Sequence, residues 1–314
     1  MVNKIERAAQ LHDEGIALAD QGESELAIQK YLEALELNPE RAATHYNVGL
    51  IYKYQGRWRE SFVYNHSAAE LAPGDEASNW NLAIAATALR DWATARSVWS
   101  RLGVPIEPGD QPIDQNFGRT PVRLNAHADA EVVWARRIDP VRARLLNIPF
   151  AGSGYRYGDT VLHDGAPVGS RLDVEGRERS VFNVLQLFQA SDYSTYEVEL
   201  TAPSPEDVAA LEALCDELEF PMEDWSSSVR VLCKACSEGT PHEHDDPTPD
   251  DPAEWNPSRR IALSARNEAL IDRTLHRWLT GKREIGSVAL ALDARMKPAE
   301  TRIDAPTPKP QSYN

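Results

Sequence analysis

Two cysteines and two histidines lie close together in the stretch VLCKACSEGTPHEHD, residues 231–245. Thiolate and imidazole are the usual zinc ligands in proteins, most often four of them in a tetrahedron. The Cys-x-x-Cys spacing of Cys233 and Cys236 lets both thiolates reach one ion. His242 and His244 point the same way if the segment that carries them is extended. The sequence therefore predicts a compact Cys₂His₂ zinc site.

The predicted zinc site is structural rather than catalytic, because four protein ligands leave no coordination position for water. If one histidine is not a ligand, a position opens, and Glu238 or Glu243 becomes a candidate base. Two other interpretations stay open: a redox-active cysteine pair, and two packed thiols beside surface histidines. No predicted helix begins at Cys233 to stabilise a thiolate, which argues against the redox pair.

A second polar cluster surrounds His163 and Asp164, which follow an apolar stretch that is predicted to be a strand. A turn built on Asp-Gly is the simpler interpretation, and an acid–base pair is the alternative. Tyr155, Tyr157 and Asp159 are close in sequence and are candidates for lining a pocket there.

Motifs of several common catalytic sites are absent from the sequence. The glycine-rich stretch at 152–158 is not followed by an obvious helix, so we do not expect a phosphate-binding loop. Neither a Gly-x-Ser-x-Gly elbow nor a His-Glu-x-x-His motif occurs. The third cysteine, Cys215, lies beside the apolar stripe of a predicted helix, and we expect a buried, inert thiol there.

A net charge of −16 over 314 residues limits the partners that the protein can bind. Such a field repels nucleic acid and anionic lipid and attracts basic partners, so we expect no direct binding of nucleic acid or membrane. Solubility is the simpler reason for the charge, and a basic protein partner is the alternative. No apolar run reaches the ~18 residues of a membrane span, and the N-terminus lacks an apolar signal core. These features predict a cytoplasmic protein.

The first hundred residues contain an internal repeat with a period of 34 residues. Four pairs are separated by this distance: Gly15 and Gly49, Gly22 and Gly56, Ala34 and Ala68, Pro39 and Pro73. A third, less regular unit begins near Glu76 and has Arg90 where the other two have glycine. Small residues let helices approach closely, so the pattern predicts helical hairpins that stack into a solenoid.

These positions resemble the tetratricopeptide repeat (TPR) family over about residues 5–103, and we assign residues 1–103 to this domain. The resemblance implies three hairpins whose first helices line a concave, partner-binding groove. Carried over to this sequence, the groove positions are His12, Ile16, Tyr46, Asn47, Leu50, Tyr54, Trp80, Asn81 and Ile84. Chaperone-binding members clamp a C-terminal carboxylate at such positions, and only Asn47 matches that clamp. Packing of the groove aromatics against the following domain is the alternative to partner binding.

The rest of the chain is predicted to be β-rich and α+β, which makes the protein multidomain. Residues 104–121 are rich in Pro, Gly and Asp and predict a linker, and short strand-like runs at 122–192 predict a small barrel-like domain. Residues 193–292 predict an α+β domain with a ferredoxin-like βαβ unit, the Cys/His knuckle and a C-terminal helix at about 264–280. The tail at 293–314 is expected to be disordered. The part of the chain that follows the repeats is faintly similar to uncharacterised bacterial domains. This resemblance implies no activity.

The sequence favours a non-enzymatic protein that binds a partner protein through its repeats and holds a structural zinc ion. Bacterial adaptors and immunity proteins are built in this way, and a basic toxin would suit the acidic charge. The alternative is an enzyme whose active site lies in the β-rich or α+β region near Asp159, His163 and Asp164, with the repeats recruiting substrate.

The zinc hypothesis predicts that protein purified without chelator contains about one zinc ion per chain. Cys233→Ser is expected to lose most of this zinc, whereas Cys215→Ser, a matched change at the third cysteine, is expected to keep it. Elemental analysis of the purified proteins measures both ratios. A zinc-to-protein ratio near zero in the wild type would refute the site.

Overall fold

The computed structural model describes residues 3–226 and 255–296. Within these ranges the chain forms two compact units. The first consists of residues 3–115 and 139–141, and the second of residues 116–138, 142–226 and 255–296. Helices build the first unit, and strands dominate the second. The predicted order of repeat helices followed by a sheet-rich region is therefore confirmed.

Six helices form three successive hairpins in the first unit. They are α1 Lys4–Asp20, α2 Ser24–Leu37, α3 Ala42–Tyr54, α4 Trp58–Leu71, α5 Glu76–Ala88 and α6 Trp92–Arg101. Each hairpin turn contains one left-handed residue: Gly22 (φ 83°), Gly56 (φ 67°) and Arg90 (φ 62°). The third turn keeps this geometry without glycine because the Asp91 amide still donates to the Ala86 carbonyl at 2.9 Å, which closes the helix end.

The two repeated glycines of the first helices are required by space. A Cβ at Gly15 would lie 2.5–3.0 Å from three ring atoms of Tyr31, which is itself 1% exposed. A Cβ at Gly49 would overlap the side-chain amide of Asn65 on the facing helix. Because core atoms are close-packed, these positions fix how near the two helices of a hairpin can lie.

The segment predicted to be a linker is attached to the first unit for most of its length. The Arg96 guanidinium on α6 donates to the carbonyl oxygens of Glu107, Gln111 and Pro112 at 2.7, 2.8 and 3.1 Å. Ile106 and Ile113 are buried. Residues 119–121, at the end of the predicted linker, already belong to the first strand. Proline and glycine content could not show that one arginine side chain binds this segment.

Five strands close into a small barrel in the second unit. They are β1 Arg119–Leu124, β2 Glu131–Arg137, β3 Arg142–Leu145, β4 Thr160–Leu172 and β5 Glu178–Gln189. Consecutive strands pair antiparallel, and β1 pairs parallel with β5 to close the barrel. Alternate residues of the strands, including Val122, Val133, Ala143 and Val161, point inward and form the core.

A four-stranded antiparallel sheet with two helices follows the barrel. Its elements are β6 Ser194–Thr201, α7 Pro205–Glu217, β7 Met222–Asp224, β8 Ser258–Ala265, α8 Glu268–Trp278 and β9 Glu284–Leu292. The strand order is β7-β8-β6-β9, and the elements of residues 194–226 and 255–292 follow one another as βαββαβ. Val198 and Ile261 on the strands pack with Leu211 on α7 and with Ile271 and Trp278 on α8.

The helix that the sequence predicted from about Ser264 begins later. Strand β8 extends to Ala265, and α8 starts at Glu268 after the N-cap Asn267, whose Oδ1 accepts from the Ala269 amide at 2.9 Å. Residues 261–265 are all buried. A strand that is covered on both faces shows no alternation of apolar and polar residues, which is why the pattern was misinterpreted.

The barrel and the sheet of the second unit are joined by a small buried contact. Ile148, which follows β3, packs with Trp225 and Ala262. Beside them, Glu223 on β7 accepts hydrogen bonds from the Asn147 side chain at 2.7 Å and from the Ile148 amide at 3.0 Å. This charge-assisted pair of hydrogen bonds fixes the segment after β3 against the sheet.

Cys215 lies on α7 with 1% of its surface exposed, within the core between α7 and the sheet. Burial raises the pKa of its thiol to about 12. A thiol in this environment stays protonated and is a poor nucleophile. The prediction of a buried cysteine is confirmed.

The tight contact at Gly15 predicts a loss of stability on Gly15→Ala. The added methyl group would overlap the Tyr31 ring, and overpacking of this kind lowers the free energy of unfolding by about 1–3 kcal/mol. Gly74→Ala is the matched control, because a Cβ there meets nothing within 4 Å. Urea denaturation followed by far-UV circular dichroism measures the stability of both variants. Equal midpoints for the two variants would contradict the expected overlap.

Candidate functional site

The nine predicted groove residues lie on the first helix of each hairpin. His12 and Ile16 are on α1, Tyr46, Asn47, Leu50 and Tyr54 are on α3, and Trp80, Asn81 and Ile84 are on α5. His12, Asn81 and Ile84 are buried, whereas the other six are half-buried. The accessible part of the predicted groove is therefore centred on α3 and is formed mainly by aromatic and amide side chains.

His12 forms an internal link of the first unit. Its Nδ1 lies 2.9 Å from the Thr44 hydroxyl on α3, and its ring centroid lies 5.5 Å from that of Tyr31 on α2. Burial, reinforced by the charge of Arg41, lowers the pKa of His12 to about 4. A neutral, hydrogen-bonded imidazole at this depth connects the first two hairpins and presents little surface to a partner.

A buried lysine of the groove was missed by the sequence analysis. The side chain of Lys53 on α3 is 3% exposed, and its Nζ donates to Asn81 Oδ1 on α5 at 3.1 Å. The ammonium also lies 4.4 Å from the centroid of the Tyr54 ring. Helical spacing offered a signal, because Lys53 lies seven residues after Tyr46 and so on the same face of α3.

Neighbouring side chains hold two of the groove residues in place. Trp80 meets Trp99 edge to face with ring centroids 4.7 Å apart, and its indole N–H donates to Glu76 at 3.2 Å. The Asn47 amide donates to the Tyr31 hydroxyl at 3.4 Å. Side chains that are already ordered lose little conformational entropy on binding, which favours recognition.

The repeat pattern has a counterpart among known protein families. Residues 15–56 match the family model described as TPR repeat. The helical unit is a tetratricopeptide-repeat region.

Two curated relatives share a short stretch with the chain. Both are the photosystem I assembly protein Ycf3, one from Prochlorococcus marinus subsp. pastoris and one from P. marinus strain MIT 9215, and each is 40% identical over 58 residues. The matched stretch covers 18% of this chain and 34% of each relative. The chain thus spans about a third of the length of the curated relatives it matches.

Charge is distributed unevenly over the TPR region. Residues 3–40, which contain α1 and α2, have nine acidic and three basic side chains, and eight of the nine acidic ones are exposed. Residues 41–101 have five acidic and seven basic side chains. The first hairpin therefore presents a negatively charged surface, whereas the second and third hairpins together are nearly balanced in charge.

The candidate acid–base pair of the second unit does not form. His163 is completely buried, and its Nδ1 lies 2.7 Å from the main-chain oxygen of Asp164, while the Asp164 carboxylate accepts from the Gly165 amide at 2.7 Å. Burial, followed by the charge of Arg137, lowers the pKa of His163 to about 4. These residues also do not form a turn: they lie inside β4 at a shift in its pairing register with β5. Asp-Gly marks a β-bulge here rather than a chain reversal.

The three other candidates near this pair have different environments. Tyr155 is part of the barrel core. Asp159 is buried and accepts from the amides of Arg156 at 2.8 Å and Ser191 at 2.7 Å. Tyr157 is half-buried and lines a cleft. The structure therefore does not bring Asp159, His163 and Asp164 together as an active site.

The predicted zinc ligands Cys233, Cys236, His242 and His244 lie outside the described residues. Among residues 3–226 and 255–296, no group of three or more His, Cys, Asp or Glu side chains is placed to hold a metal ion. Along the same part of the chain, no helix has both the length and the apolar character that crossing a membrane requires.

The environment of His12 predicts a pH dependence of stability. Its folded pKa of about 4 lies below the ordinary value of 6.5, so the unfolded chain binds more protons between these pH values. The free energy of unfolding is expected to decrease by roughly 2–3 kcal/mol on this account as the pH falls from 6.5 toward 4. When urea denaturation is compared at pH 7 and pH 4.5, the free energy of unfolding of His12→Gln is expected to decrease less than that of the wild type.

A matched control for this experiment is His276→Gln, which changes an exposed histidine on α8. This variant is expected to keep the pH dependence of the wild type. Nuclear magnetic resonance titration of His12 gives a direct check, and an ordinary pKa near 6.5 would contradict the buried link.

Proposed function

We propose that this chain is a non-enzymatic interaction protein whose TPR region binds a partner protein along α3 and the adjoining helices. The observation that carries the proposal is the half-buried surface formed by Tyr46, Asn47, Leu50 and Tyr54 within a repeat architecture. Partly exposed aromatic residues are enriched in binding interfaces, since they bury a large area at a low cost in side-chain entropy.

The charge of the first hairpin supports a basic partner. Its exposed carboxylates lie on the helices that begin the repeat stack, and they attract a positively charged protein before contact is made. Lys53 links α3 to α5 through its hydrogen bond to Asn81 and, at 3% exposure, is too deeply buried to contact the partner. An adaptor, or an immunity-type protein that neutralises a basic toxin, fits this combination.

The relatives support binding without indicating the partner. Their name, photosystem I assembly protein, describes an activity that brings proteins together. Because the shared stretch covers a third of those proteins, only the use of repeats for protein contact is carried over to this chain.

In this proposal the second unit acts as a scaffold. A structural zinc ion on Cys233, Cys236, His242 and His244 would tie the segment between β7 and β8. The βαββαβ element order supports the ferredoxin-like arrangement that the sequence predicted for this region.

Binding through α3 predicts that Tyr46→Ala weakens partner capture. Immobilised wild-type protein is expected to retain a basic protein from a native lysate, and Tyr46→Ala is expected to retain at least about tenfold less of it. Val63→Ala on α4 is the matched control, because this apolar side chain is 58% exposed and lies on the second helix of the same repeat. Quantitative mass spectrometry compares the captured proteins. Identical capture by the wild type and Tyr46→Ala would exclude α3 as the binding surface.

The charge of the partner is tested by a second pair of variants. Asp13→Lys reverses an exposed charge on α1, and Glu70→Lys reverses an exposed charge on α4. Asp13→Lys is expected to weaken binding of the captured protein by about threefold to tenfold, and Glu70→Lys is expected to change it less. Binding that is insensitive to Asp13→Lys and to salt would contradict a basic partner.

A further inference from the structure

A cleft of about 540 Å³ lies in the second unit where the end of the barrel meets the sheet. Its walls come from β3, from the turn before β4, from the segment that joins β5 to β6, and from Arg266 after β8. The side chains that line it include Arg144, Tyr157, Thr160, Gln189, Tyr193 and Arg266. Clefts that bind small molecules have volumes of about 300–1,000 Å³ and are common where two substructures join.

One wall of the cleft is aromatic. The rings of Tyr157 and Tyr193 meet edge to face, with centroids 5.1 Å apart and an interplanar angle of 83°. The Arg266 guanidinium lies 4.5 Å from the centroid of the Tyr193 ring and forms an ion pair with Asp192 at 2.8 Å. Arg266 therefore packs on the Tyr193 ring of this wall and is paired with Asp192.

Arg144, another residue that lines the cleft, belongs to a row of arginines on the barrel. Arg119 is paired with Arg136, Arg136 with Arg144, Arg144 with Thr160, and Thr160 with Gln189, across neighbouring strands. Residues directly opposite each other point to the same face of a sheet, and like charges in such pairs destabilise it. Three adjacent arginines are unexpected in a protein of net charge −16. The exposed guanidinium of Arg144 adds positive charge at the edge of the cleft.

Arg144 is the member of this row that reaches the cleft. It is exposed, and among the described residues its guanidinium forms neither a hydrogen bond nor an ion pair. Beside it, Tyr157 is half-buried, and burial together with the neighbouring Tyr193 raises the pKa of Tyr157. Its hydroxyl therefore stays protonated and can donate a hydrogen bond to an anion.

The walls of the cleft are fixed by hydrogen bonds beneath them. The Asp159 carboxylate accepts from the Arg156 and Ser191 amides, and the Ser191 hydroxyl donates to the Tyr157 carbonyl at 2.7 Å. Gly158 has a φ of 79°, and a Cβ there would lie 3.3 Å from Ser191 Cβ. The turn before β4 and the segment after β5 are thus held together before any ligand binds, which lowers the entropic cost of binding.

We propose that this cleft binds a small organic anion that carries a flat ring and a phosphate or carboxylate group. The anionic group contacts the guanidinium of Arg144, where a planar, two-pronged donor suits both oxyanions, and the ring packs on Tyr157 and Tyr193. The proposal concerns the second unit alone and does not rest on the function proposed for the TPR region.

Isothermal titration calorimetry on the full-length protein tests the proposal with four probes. Adenosine monophosphate supplies a ring with a phosphate, and indole-3-acetate supplies a ring with a carboxylate. Inorganic phosphate lacks the ring, and adenosine lacks the charge. We expect at least one ring-bearing anion to bind with a dissociation constant at least about tenfold lower than those of inorganic phosphate and adenosine. Comparing the two ring-bearing anions shows which oxyanion is preferred.

Two pairs of variants test whether the probes bind in the cleft. Arg144→Ala is expected to raise the dissociation constant at least about tenfold, whereas Arg273→Ala, which removes an exposed arginine of α8 outside the cleft, is expected to leave it unchanged. Tyr157→Phe keeps the ring and is expected to bind better than Tyr157→Leu. The proposal is overturned if neither ring-bearing anion binds below about 5 mM, if Arg144→Ala binds as the wild type does, or if inorganic phosphate alone binds as tightly as the ring-bearing anions.

Discussion

The close approach of paired helices is the constraint on which the TPR region depends. At Gly15 and Gly49 the facing side chains, Tyr31 and Asn65, occupy the space that a Cβ would need. Helices that pack at this distance leave room for a large residue from only one side. The register of each hairpin is then set, and so is the face that its first helix presents. The half-buried row on α3 is a consequence of this geometry.

The second unit uses buried carboxylates where the first uses small residues. Asp159 holds the turn before β4 to the segment after β5, and Glu223 holds the segment after β3 to the sheet. Both accept hydrogen bonds from backbone amides. Burial raises the pKa of Asp159, and the amide hydrogen bonds oppose that shift. Irregular backbone is held in one conformation by such contacts, which is how loops come to line a defined cleft.

Charged side chains are distributed differently in the two units. The excess of carboxylates in the first hairpin is exposed and faces solvent, whereas the arginines of β1, β2 and β3 stand side by side on the barrel. The net charge of −16 therefore conceals a local positive surface. An acidic protein can attract a basic macromolecule at one place and hold a small anion at another, because screening limits each field to about 10 Å at ordinary ionic strength.

The sequence by itself determined the features that depend on local spacing. The period of 34 residues predicted the hairpins and the turn positions, and the apolar neighbours of Cys215 indicated a buried thiol. Tertiary structure decided what depends on residues far apart in the chain. The end of strand β8 was hidden because residues 261–265 are buried on both faces, and the Lys53–Asn81 contact joins residues 28 positions apart. The arginine row exists only through strand pairing, since register, and not sequence distance, places Arg119, Arg136 and Arg144 side by side.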